Sequence, residues 1–115
     1  MTRQRLLILL FWSAALFALV MASLPKPPQL PGQPSDKIQH IMAFLTLAAL
    51  AAAAFPRTPL LRIGLGLSAY GALIEFIQMI PMLHRDADAA DWAADTAAAA
   101  LVLFIAYLIR RRRAA

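Results

Sequence analysis

Four long apolar runs, parted by short polar or proline-bearing breaks, set the rhythm of this chain. From Leu6 to Leu24 only Ser13 and Ser23 relieve the apolar residues, and Arg3 and Arg5 stand just before them. Pro25, Pro27, Pro28, Pro31 and Pro34 then keep the backbone extended, since each ring fixes φ near about −65° and removes an amide donor. An alanine-rich run covers 38–55, a third run covers 60–80 before Pro81, and a fourth extends from 88 to 109 before Arg110–Arg113. Each approaches the roughly 20 residues needed to cross a hydrocarbon core about 30 Å thick. The pattern predicts an all-α fold: one membrane domain over 1–115, a bundle of four transmembrane helices at about 6–24, 38–55, 60–80 and 88–109. Asp36 opens the second span, and with Gln39 three residues on it resembles a capping box. The first run exceeds the roughly 7–15 residues of a signal-peptide core, so it reads as a retained span, with cleavage as the alternative.

At 115 residues and 62% hydrophobic, the chain leaves little for a soluble domain, so any chemistry lies in the helices or beside them. Orientation follows from Lys and Arg. With the N-terminus inside, Arg3, Arg5, Arg57, Arg62 and Arg110 to Arg113 are cytoplasmic, while only Lys26, Lys37 and Arg85 lie outside. That bias predicts both termini in the cytoplasm (N-in, C-in) in a multi-pass membrane protein. The net charge of +5 does not point to nucleic acid, because the arginines directly follow an apolar run with no soluble groove or interleaved aromatics. Beside a span they are a topology signal and a contact for anionic lipid headgroups, so membrane lipids are the expected partners. The absence of cysteine removes disulfides, thiolate nucleophiles and Cys-type metal sites.

The acids are the opposite case. Asp36, Glu75, Asp86, Asp88, Asp91 and Asp95 are the only six, and this topology puts all of them in the outer half, with His40, His84, Gln39 and Gln78. Asp36 and His40 are i and i+4, Glu75 and Gln78 i and i+3, and Asp88, Asp91 and Asp95 form one stripe down the fourth span. A charged side chain within a membrane costs roughly 2.5–3.5 kcal/mol on the insertion scale, so these faces should turn inward to a shared pocket. Plainer roles exist for several of them. Asp36, Asp88 and Asp91 can complement helix N-termini, an effect of about 0.3–1 kcal/mol. His40 alone can be a packing histidine, Arg85 a solvated or snorkelling residue, and His84 and Asp86 ordinary loop residues. Glu75, near a helix C-terminus, and Asp95, two turns into a span, have no such default.

Gly64, Ser68, Gly71 and Ala72 on the third span, and Ala93, Ala94, Ala97 and Ala98 on the fourth, are small residues suited to close helix packing. Trp12 and Trp92 suit interfacial belts. Gly66-Leu67-Ser68-Ala69-Tyr70 lacks the final glycine of a nucleophile elbow, so a serine hydrolase is not supported. Carboxylates with one imidazole can hold a divalent cation, although their spacing matches no specific metal motif; no other cofactor is expected. Arg85 is the natural partner for Asp88 or Asp91, which leaves Glu75 and Asp95 without a permanent cation.

At these residues the chain resembles the VanZ-like family of small bacterial membrane proteins. The resemblance is carried by Asp36-Lys37-x-x-His40 followed by Phe44, by Glu75-x-x-Gln78, and by Arg85-x-x-Asp88-x-x-Asp91 with a polar residue at 95. It covers about residues 35–105, and it implies a multi-pass cell-envelope protein of the bacterial inner membrane. The family usually has asparagine where Asp95 stands and often glycine where Ala98 stands. Its founding member is associated with low-level resistance to the glycopeptide teicoplanin, a phenotype not carried over to this chain. The leading expectation is a non-enzymatic envelope protein whose outward pocket of Asp36, Lys37, His40, Glu75, Gln78, Arg85, Asp88, Asp91 and Asp95 binds a polar lipid headgroup or glycan-linked lipid. One alternative is an intramembrane enzyme using His40, Glu75, Asp91 and Asp95 in acid/base or metal-assisted chemistry. A second is an ion- or proton-coupled transporter subunit, which with only four helices would work as a homo-oligomer. The last is an assembly role.

Overall fold

A computed structural model describes residues 1–25, 36–83 and 87–114, with only the backbone of Asp36. Regular structure among them is helical throughout: α1 (Arg3–Ser23), α2 (Asp36–Ala54), α3 (Leu60–Gln78) and α4 (Ala89–Ala114), with a short 3-10 turn at Pro81–Leu83. All four α-helices are long and apolar enough to cross a membrane.

The helix ends have local causes. Thr2 caps α1, its Oγ1 accepting from the Arg5 amide at 3.1 Å. Pro59 precedes α3, and α3 stops at Gln78 because Pro81 can neither donate to the ladder nor clear the carbonyl one turn back. Asp88 caps α4, its Oδ1 accepting from the Ala90 amide at 2.9 Å. Several ends differ from the sequence-based expectation: α1 begins at Arg3 rather than 6, and α3 ends at Gln78 rather than 80. α2 already includes Asp36, whose side chain lies outside the described residues, and so does the predicted capping box. α4 continues through the arginines to Ala114 rather than stopping at 109, because arginine is a good helix former and cations favour the negative C-terminal end.

The helices run alternately up and down. Contacts group the α1 N-terminus with the C-termini of α2 and α4 at one end, here the basic end. His40, Glu75 and Asp95 meet at the other, the acidic end. α2 is the central element. It packs against α1, α3 and α4, whereas α1 and α4 scarcely meet. Its buried stripe of Phe44, Leu47, Ala48 and Ala51 follows the i, i+3, i+4, i+7 rule. Ile63, Leu67 and Ile74 of α3 and Ala99 and Leu103 of α4 close the core around it. Phe17, Leu61 and Phe76 are more than 60% exposed, as lipid-facing residues are.

Two glycines of α3 set how closely the helices approach. A Cβ on Gly71 would lie 3.3 Å from the Phe44 ring and 3.4 Å from Trp92, and one on Gly64 would lie 3.3 Å from Leu103. The alanine face predicted for α4 is only half right. Ala98 is buried with Ala99, but Ala93 and Ala97 are exposed. The rotation of α4 places Asp91 and Asp95 inward, and the alanine stripe follows the acids.

Polar side chains bind the bundle together. The Arg110 guanidinium donates to the carbonyls of Thr58 at 2.7 Å, Phe55 at 3.0 Å and Ala52 at 3.1 Å, serving one acceptor in the last turn of α2 and two in the loop that follows it. Read from the sequence as a topology signal, this arginine is also a helix cap supplied by a neighbouring helix. The Tyr70 hydroxyl donates to the Ala15 carbonyl of α1. Trp92 Nε1 donates to the Ser68 carbonyl at 3.0 Å, and the Ser68 and Thr96 hydroxyls meet at 3.1 Å.

Candidate functional site

The acidic end brings together one residue from each of three helices. His40 lies just over one turn into α2, Glu75 in the last turn of α3, and Asp95 in the second turn of α4. His40 Nδ1 stands 3.5 Å from Asp95 Oδ2 and 3.8 Å from Glu75 Oε1. One ligand atom from each residue lies within 4.8 Å of the other two, so Glu75 and Asp95 are at most one water apart, as the helical stripes implied. Asp95 is 1% exposed and Glu75 9%.

The cluster is polar and under-satisfied. His40 Nδ1, Glu75 Oε1 and both Asp95 carboxylate oxygens are buried without a hydrogen-bond partner among the described residues. Buried polar atoms are normally paired, and an unpaired one costs roughly 1–3 kcal/mol. Here they converge on each other rather than being scattered. The two carboxylates carry two negative charges against at most one on the imidazole, so the set is completed by a proton, a cation or the donor groups of a ligand.

The surroundings orient these groups. The other Glu75 oxygen, Oε2, accepts from the Asp88 backbone amide at 3.0 Å, which ties the end of α3 to the start of α4. Lys37 Nζ lies 3.7 Å from Asp91 Oδ1, so α2 supplies a cation to Asp91, while Arg85, the partner expected for Asp88 or Asp91, lies outside the described residues. Gln78 is buried, but its Nε2 donates to the Ala22 carbonyl at 3.4 Å and so holds α1. Asp88 caps α4 with its carboxylate and serves Glu75 with its backbone. The side chain of Asp36 and residues His84, Arg85 and Asp86 lie outside the described residues.

A cleft of about 350 Å³ opens beside the cluster between α3 and α4, bounded by Ala72, Glu75, Phe76, Met79, Asp88 and Trp92. Glu75 belongs to both cleft and cluster. Phe76 and Met79 are more than 60% exposed at its mouth, which makes it accessible from the lipid side.

Sequence reasoning missed the Trp92–Ser68 and Thr96–Ser68 contacts. The signal was available: Trp92 and Thr96 are i and i+4 and share the face opposite the small residues of α3. It also treated Phe44 only as part of a motif, whereas at 1% exposure Phe44 is a core residue against Gly71.

No protein-family model, curated protein or solved structure matches the chain. Fold and site together define a multi-pass helical membrane protein with a buried carboxylate–imidazole cluster near one end.

Proposed function

We propose that this is a VanZ-like protein of the bacterial cell envelope that binds the polar headgroup of a membrane lipid, with His40, Glu75 and Asp95 as the centre of its outward-facing site. One observation carries the reading: four buried polar atoms without partners converge beside a lipid-accessible cleft with which they share Glu75. The carboxylates offer acceptors, so the headgroup that fits is rich in donors, as the hydroxyls of a glycan or an ammonium group are. A bare phosphate would be repelled. The exposed Phe76 and Met79 give the attached chain an apolar wall.

Native mass spectrometry of protein released from membranes in mild detergent tests this. A donor-rich lipid should remain bound to the parent and be depleted in Glu75→Gln and Asp95→Asn. Equal retention in all three would end the proposal.

The imidazole between two carboxylates also favours a second reading, an intramembrane enzyme in which His40 exchanges protons with Asp95 or the three groups hold a divalent cation. A stoichiometric metal in the purified protein, together with turnover of the bound lipid that His40→Ala abolishes, would select it.

A further inference from the structure

The basic end carries a second feature, independent of the acidic site. Because α1 and α4 both pack on α2 but scarcely on each other, a cleft of about 970 Å³ opens between them at this end. Its floor is the alanine face of α2, with Ala49, Ala52 and Ala53, and its apolar walls include Leu7 of α1 and Val102 of α4. Arg3 stands on the α1 wall and Arg113 on the α4 wall, both exposed. Arg110 forms part of the same wall, but its guanidinium is occupied by the carbonyls of Ala52, Phe55 and Thr58, which tie α4 to the end of α2 and the loop after it.

Charge decides what fits. Arg3, Arg5, Arg57, Arg62 and Arg110–Arg113 all lie at this end, and among the described residues no aspartate or glutamate does. An apolar trough floored by alanines and rimmed by arginine on both walls matches one kind of molecule in a bilayer. We infer that this cleft binds an anionic phospholipid, an acyl chain lying on the Ala49–Ala53 floor and the phosphate held between Arg3 and Arg113. The alanines leave room for the chain, and the arginines present planar donor forks to the phosphate.

The full chain in detergent, titrated with dioleoyl phosphatidylglycerol and separately with dioleoyl phosphatidylcholine under native mass spectrometry, tests this. The parent should bind the glycerol lipid preferentially. Arg3→Gln with Arg113→Gln should reduce that preference by about 5-fold per arginine, the usual worth of a basic side chain at an anionic surface. Arg57→Gln with Arg62→Gln, at the same end but outside the cleft, should leave it intact. Ala53→Phe, on an exposed position of the floor, should block both lipids by filling the trough. Equal binding of the two lipids by the parent, or equal loss in both arginine pairs, would overturn the inference, since either means a diffuse basic surface. Full competition by inorganic phosphate would reduce the site to an anion site and overturn the lipid assignment. So would a dimer that Ala53→Phe dissociates while lipid binding persists, because the trough would then hold a second copy of the chain.

Discussion

Asparagine at position 95 would keep the shape of a side chain that is 1% exposed and remove one negative charge from a cluster with no fixed countercharge. The stability of the parent should therefore vary between about pH 5 and 8, where an imidazole titrates, and respond to added divalent cation. Asp95→Asn should flatten both responses. Thermal unfolding in detergent, with and without chelator, measures this, and superimposable profiles would make Asp95 a bystander. Glu75 and Asp95 were legible because no ordinary role accounts for an acid at the end of α3 or inside a span, whereas His40 alone also read as a packing residue. Their neighbours were less so. Helical spacing says which residues share a face, but not which helix that face meets. Gln78 therefore turned out to hold α1, and Asp91 to face Lys37. Asp88 lies at a helix start, where capping competes with any site role, and capping is what its carboxylate does.

Between helices, the close approaches give sharper contrasts. Gly71→Leu should destabilise by about 1–3 kcal/mol, because the added atoms run into Phe44 and Trp92. Gly66→Leu, with nothing within 4 Å of its Cβ position, should change far less. Chemical denaturation in mixed micelles separates the two, and equal effects would refute the packing account. At the other end, Arg110→Ala should cost about 2 kcal/mol by stranding the Ala52 carbonyl of α2 and removing the donor to Phe55 and Thr58 in the loop after it. Arg111→Ala, on an exposed position, should stay within about 0.5 kcal/mol. Similar losses for both would mean that Arg110 contributes only charge. Helix positions were readable because run lengths and prolines determine them. The rotation of α4 was readable from its acids, expected to turn inward, but not from the alanines at 93, 94, 97 and 98, which pack equally well either way.

Across the whole molecule, the described acids and arginines separate to opposite ends of the bundle, a polarity that the linear distribution of charge already implied. If the arginine end is cytoplasmic, a reporter fused after Ala115 should be active only inside the cell, and one placed within 27–34 only outside. The opposite pattern would move the acidic site to the cytoplasmic half and remove the case for an outward-facing pocket. α1 is held largely through its main chain. Tyr70 and Gln78 reach it through the carbonyls of Ala15 and Ala22, groups that every residue possesses. Much of the recognition of α1 is thus addressed to its backbone rather than to its side chains. Apart from its buried Phe11 and Ala22, α1 can therefore change side chains without losing these anchors, whereas α3, which carries both anchoring side chains, cannot.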